Sequence, residues 1–182
     1  MKELSLNILD VTENSVKAGA SLTEISVEET DDILNLTITD NGCGMSEETV
    51  RGVTDPFYTT RTTRSVGLGL PLLKLQAEQT GGSMSVESVH ESMSKENHGT
   101  VVRASFFKNH IDFTPLGDVV STVVTLIQGH PDTDFLFIHK TDKGEVKLDT
   151  RELRAVLGDV SLAEYEVMKW IEEYLREQYS EI

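Results

Sequence analysis

The sequence predicts an α+β protein in two stretches, residues 1–108 and 109–182. Three observations carry that expectation. In the first stretch, segments with helical apolar spacing are separated by pairs of short segments that alternate apolar and polar residues. In the second, a helix, a hairpin and two further helices form a different pattern. The chain of 182 residues, 38% of them hydrophobic, can bury a substantial core and suffices for one domain with an appendage or for two small domains.

Each element has a local reason. Leu4, Ile8 and Val11 recur at helical spacing and Gly19 follows as a stop signal, so a helix is expected over 2–18. Two strands follow at 21–29 and 33–40, the second alternating Leu34, Leu36 and Ile38 with Asn35, Thr37 and Thr39. Residues 41–66 are rich in Gly, Thr and Ser and read as loop, apart from a helical turn over 47–53. A helix over 68–79 has Pro71 early and Gly81-Gly82 just beyond it, and strands over 84–89 and 100–107 flank a polar loop. In the second stretch Val119, Val120, Val123, Val124 and Ile127 form a broad apolar stripe, which predicts a helix over 115–128. A hairpin over 134–149 and a helix over 150–157 come next. A last helix over 161–179 would open on a capping box of Ser161 with Glu164.

Charge and composition exclude several function classes. Sixteen Lys and Arg against 31 Asp and Glu leave a net charge of −15, which argues against a nucleic-acid binder, because phosphate backbones are gripped by clustered bases. No apolar run is long enough for a membrane span. The first residues lack a basic stretch followed by an apolar one, which predicts a cytoplasmic protein without a signal peptide. The one cysteine, Cys43, has no internal disulfide partner. Residues 1–108 hold 16 acidic and 9 basic side chains, and 109–182 hold 15 and 7, so the second stretch is the more acidic for its length. Arg51, Arg61 and Arg64 cluster locally, as a solvated loop or as a phosphate contact.

Four features carry chemistry. Asp40 shares strand parity with Leu34, Leu36 and Ile38, so its carboxylate faces the buried side, where it needs donors. Gly42, Gly44 and Met45 follow in Asn41-Gly42-Cys43-Gly44-Met45, where the backbone must bend and be closely approached. Asp40 therefore either caps its own turn or accepts from the amino group of a flat ligand. Asp10, Asn14 and Lys17 fall within one wedge of the first helix, away from the Leu4, Ile8, Val11 stripe. They form either an ordinary polar face or a set suited to general base, Mg²⁺ ligand and phosphate contact. Gly67-Leu68-Gly69-Leu70 opens a helix, whose N-terminal N–H groups can bind an anion. It lacks the spacing of a P-loop or a dinucleotide-binding turn. Thr100 places a hydroxyl on the inward face shared with Val102, Ala104 and Phe106, and wants a partner there.

In chain order these motifs resemble the gyrase, Hsp90, histidine kinase and MutL (GHKL) superfamily of ATPases. Asp10-x-x-x-Asn14 through Ala20 looks like the N-box, and Asp40–Met45 the first glycine motif. The run from Asp55 to Arg61, with Phe57, resembles the lid segment of histidine kinases. Gly67–Leu70 resembles the second glycine motif, and Gly99-Thr100 the last. The resemblance covers residues 3–108. It implies a Bergerat-type α/β sandwich, a mixed sheet with helices on one face, as a histidine-kinase-like ATP-binding domain over 1–108. Residues 109–182 would be an α+β extension that docks on the sheet or on a partner.

By the same resemblance Asp40 would accept from the adenine amino group and Asn14 would ligate Mg²⁺. Lys17, Arg61, Arg64 and the Gly67–Leu70 helix start would contact phosphates, with residues 46–66 as a lid. Asp10 would align or deprotonate the phosphate acceptor. A carboxylate there is like ATP-hydrolysing and serine-kinase members, while Lys17 is more like the histidine kinases. No histidine-bearing dimerisation segment precedes the N-box, which implies action on a partner protein, as a kinase in trans or as an ATPase, with a homodimer also open. The other expectation is an ATP-sensing module without turnover.

Overall fold

The computed structural model of the protein describes residues 2–55 and 69–182. Six strands make one sheet: β1 (Leu22–Glu29), β2 (Ile33–Asp40), β3 (Ser83–Val89), β4 (Gly99–Phe107), β5 (Asp134–Thr141) and β6 (Gly144–Asp149). Their order across the sheet is β3-β4-β2-β1-β5-β6. β1 and β5 run parallel and every other neighbouring pair is antiparallel, so the sheet is mixed. It is also continuous across residue 108: the extension adds its hairpin to the edge of β1.

The register explains the core. Val86, Val102, Ile38, Ile25, Phe137 and Leu148 are successive cross-strand partners, one from each strand in sheet order. Period-two alternation keeps such a row on one face. That face is covered by α3 (Gly69–Gln79), α1 (Leu4–Lys17), α4 (Val119–Gly129) and α6 (Tyr165–Ser180), which pack on one another in that order. Leu4, Ile8 and Val11 of α1 and Val119, Val120, Val123 and Ile127 of α4, all in the stripes read from the sequence, are each at most 5% exposed. Val124, by contrast, is only partly buried, and Leu126, outside the expected stripe, is buried. The short helices α2 (Glu47–Gly52) and α5 (Thr150–Leu157) pack on β3 and β5.

Two expected helix starts are corrected. The helix expected from residue 115 begins at Val119, with the Asp118 carboxylate accepting from the Ser121 N–H as its cap. Residues 115 and 116 instead serve α1, where the carbonyls of Pro115 and Leu116 accept from the backbone N–H groups of Leu4 and Ser5 at 2.9 and 2.8 Å. A distant stretch of chain thus satisfies donors that α1 leaves open at its start. The expected capping box does not form either. The Ser161 hydroxyl accepts from Ala163, Leu162 is fully buried, and α6 starts after Glu164 without a side-chain cap. Burying Leu162 takes a turn where the helix would have begun. Other bounds differ by a residue or two, the usual scatter of frayed ends.

Candidate functional site

The row next to the hydrophobic one is polar. Ser88, Thr100, Asp40 and Thr23 are cross-strand partners in turn on β3, β4, β2 and β1. This row lies on the helix-covered face near the end of α1, and Asp40 is its centre. Oδ2 of Asp40 accepts from Ser15 Oγ at 2.7 Å, and Oδ1 accepts from the N–H groups of Gly42 at 2.9 Å and Thr100 at 3.3 Å. A carboxylate offers about four lone-pair sites, so three donors leave one acceptor position open. The partner that the Thr100 hydroxyl wants is the Ser88 hydroxyl at 2.9 Å, which also reaches the Gly99 carbonyl and accepts from the Met45 N–H.

The turn after β2 is clamped over this row. Cys43 N–H donates to the Ala18 carbonyl at the end of α1, Glu91 N–H donates to the Cys43 carbonyl, and His98 Nδ1 donates to the Gly42 carbonyl. Gly42 must be glycine because a Cβ there would sit 2.9 Å from the Ala18 side chain. Gly44 has φ +68°, and a Cβ would lie 2.0 Å from the Val89 carbonyl oxygen. The fold needs glycine at both positions to bring the turn this close to α1 and β3.

A cavity of about 690 Å³ opens above the row, within the range of small-molecule sites. Asp10, Asn14, Lys17, Asp40, Gly44, Met45, Gly69, Leu70 and Thr100 all line it. Gly42 lies behind the wall, donating to Asp40. Phe57, Arg61, Arg64, Gly67 and Leu68 lie outside the described residues, as does most of the expected lid. α3 starts against α1: a Cβ on Gly69 would be 3.0 Å from Asp10 Cβ. The described start of this helix therefore lies beside Asp10, at one end of the line of Asp10, Asn14 and Lys17, and lines the same cavity. Cys43 also lines the cavity as a half-buried thiol.

Sequence reasoning did not single out Ser15, Ser88, His98 or Glu13. Ser15 and Glu13 flank Asn14, and Glu13 lines the cavity with its carboxylate 2.7 Å from His130 Nε2. Ser88 becomes visible once β3 is registered on Thr100. The described groups suit a nucleotide: a carboxylate acceptor over a glycine turn, the Lys17 ammonium, and the described start of α3 on one cavity. Among the described residues no group of three His, Cys, Asp or Glu side chains could hold a metal ion by itself. The Asn14 amide oxygen is one ligand that the described residues could give a hard cation, which would need phosphate oxygens besides.

The chain is similar to known proteins in sequence and in fold. The sequence profile of the histidine kinase-, DNA gyrase B-, and HSP90-like ATPases matches residues 2–111. A probable C4-dicarboxylate sensor kinase of Bacillus subtilis is 38% identical over 65 residues, which are 36% of this chain and 12% of that protein. The sensor histidine kinase YvrG of Bacillus subtilis is 35% identical over 101 residues, 52% of this chain and 16% of that protein. The likeness thus spans less than a fifth of these kinases' length. The Aquifex aeolicus MutL ATPase domain complexed with ADP shares the fold, with a TM-score of 0.50 at 15% identity, over 97% of this chain and 70% of that one.

Proposed function

From the premise that the chain belongs to the histidine kinase-, DNA gyrase B- and HSP90-like ATPase family, we propose that it binds ATP with Mg²⁺ in the Asp40 cavity and acts on a partner protein, as a kinase in trans or as an ATPase. The observation that carries this is the state of Asp40: three protein donors fix its carboxylate and one acceptor position faces the cavity. The exocyclic amino group of adenine is the donor that fits it. Guanine presents a carbonyl at the same place on its ring and would set oxygen against oxygen.

The phosphates would then run along α1 toward α3. Lys17 would supply a positive charge, and the start of α3 at Gly69, which lines the same cavity, would supply N–H donors. The Asn14 amide oxygen is the protein's contribution to Mg²⁺. Mg²⁺, when bound, supplies neutralisation of phosphate charge. Asp10 stands at the exposed rim, three residues before Glu13 and one turn before Asn14, where an acceptor hydroxyl or imidazole from a partner could meet it. Positioning and electrostatics would then do most of the catalytic work.

Thermal unfolding with ATP, ADP and GTP, each with and without Mg²⁺, tests the cavity. At 100 times Kd a ligand stabilises by about 2.7 kcal/mol, several degrees for a chain of this size. ATP and ADP should give that shift and GTP little. Asp40→Asn should abolish it, and an undiminished shift in that variant would falsify the assignment.

The continuity of the sheet into the extension favours a second reading, in which nucleotide occupancy is sensed and passed on without turnover. Asp10→Asn separates the two. Under the enzymatic reading turnover falls by about a hundredfold or more, with ATP affinity little changed. A wild-type protein that binds ATP yet turns over none with any candidate partner supports the sensor.

A further inference from the structure

Glu13 and His130 are not accounted for by the roles above. Among the described residues the cavity wall carries three carboxylates, Asp10, Glu13 and Asp40, and one ammonium, Lys17. Asp40 is held by its donors at the floor. Glu13 is the awkward group: it lines a cavity proposed to take a triphosphate, and it lies four residues before Lys17 on the same helix. A Glu four residues N-terminal to a Lys is the favoured orientation for a helical ion pair. That pair would cover the ammonium that the phosphates need.

The structure shows a different pairing. Glu13 Oε1 accepts from His130 Nε2 at 2.7 Å, with the two side chains 31% and 26% exposed. Lys17 makes no ion pair among the described residues. His130 is the residue that ends α4, in the extension, and its place is fixed from behind. Its carbonyl accepts from Thr133 N–H at 3.0 Å. Arg154 of α5 donates to the carbonyls of Pro131 and Thr133, and through Nε to Asp134 at 2.7 Å. Thr150 donates to the same Asp134 oxygen at 2.9 Å. The imidazole is thus presented to α1 by a braced turn.

We infer that His130, from outside the family's ATPase segment, is a positioning residue for nucleotide binding: it draws the Glu13 carboxylate aside and so keeps Lys17 available to the phosphates. The inference rests on the ATP reading of the cavity. It predicts specificity by phosphate number. Without His130, Glu13 is free to turn toward Lys17, and the penalty should grow from adenosine through ADP to ATP, because only the charged part of the ligand meets the change.

Calorimetric titration of adenosine, ADP and ATP with Mg²⁺ into the full chain tests this. His130→Ala should weaken ATP about three- to tenfold, ADP less, and adenosine not at all. His130→Gln, which keeps an N–H donor, should restore ATP binding. In a Glu13→Gln background, His130→Ala should have no further effect on ATP. His130→Leu keeps the bulk without the donor and reads the same prediction if the alanine variant does not fold. A His130→Ala or His130→Leu protein that loses affinity equally for all three ligands, or that loses none for ATP, overturns the inference. So does an effect that persists with Glu13→Gln. A wild-type protein that binds none of the three overturns the reading of the cavity itself, a distinct result.

Discussion

Gly99 shows how one residue can hold the site together. It opens β4 with φ +131°, and a Cβ on it would lie 2.0 Å from the Asp40 carbonyl oxygen. The next residue supplies the N–H that reaches Asp40 Oδ1. Gly99→Ala must therefore strain the backbone and push the start of β4 off the end of β2. A cost of about 2–4 kcal/mol is expected, measured by urea unfolding, together with loss of the nucleotide-induced thermal shift. An alanine variant as stable as wild type would show that this close approach is dispensable. Asp40 and Thr100 were legible from strand parity alone, since a polar residue on an apolar face demands an explanation. Their partners were not. Ser15, Ser88 and His98 acquire meaning only when helix and strands are registered against one another, and no local pattern marks them.

At the scale of elements, His139 fastens α6 to the sheet. It is 4% exposed on β5, with Nδ1 2.8 Å from the Tyr179 hydroxyl of α6 and Nε2 3.2 Å from Glu29 at the end of β1. Lys108, just after β4, pairs with the same Glu29 at 2.7 Å. Burial holds the His139 pKa below its ordinary value of 6.5, the nearby Glu29 opposing it in part and Lys108 adding to it. The fold thus favours the neutral ring. Its stabilisation is complete above the unfolded-state value and is lost as pH falls through the lower folded-state value. Stability should decline from pH 7 toward pH 5, before the depressed carboxyls of Asp118 and Asp149 begin to titrate. His139→Gln should flatten that decline in urea unfolding at pH 7.5, 6.0 and 5.0, and an unchanged slope would count against it.

Elements also show where local reading ends. β2 and α5 have the bounds that periodicity and caps imply, because their signals are contained within them. The starts of α4 and α6 differ because Pro115, Leu116 and Leu162 answer to distant partners, the N-terminus of α1 and the core. The parallel pairing of β1 with β5 had no local signature at all.

For the whole molecule, the extension is part of the core. Val119, Val120, Val123, Leu126, Ile127, Phe135 and Phe137 are each at most 5% exposed. At about 1.5 kcal/mol or more per buried side chain these seven contribute on the order of 10 kcal/mol, comparable to the total stability of a domain. Residues 1–108 alone would also leave the β1 edge unpaired and the start of α1 without the Pro115 and Leu116 carbonyls. That fragment should be unfolded or self-associated by circular dichroism and gel filtration. A monomeric fragment with the full-length unfolding midpoint would refute this. The net charge of −15 sharpens the other global point: phosphate binding as proposed would have to be local, through Lys17 and the start of α3, against an acidic background.

The β1–β5 joint also sets an order in time. The β1–β2, β3–β4 and β5–β6 pairs are each between strands successive in sequence, whereas Leu22 meets Asp134 across most of the chain. Loop closure must be met before so distant a contact gives anything back, which makes it the slow pairing. During synthesis β1 therefore waits, one edge bare, until β5 has been made. In that interval the nascent protein carries an open edge on the strand that holds Ile25 and Val27, and its exposure to wrong partners is greatest before its last third emerges.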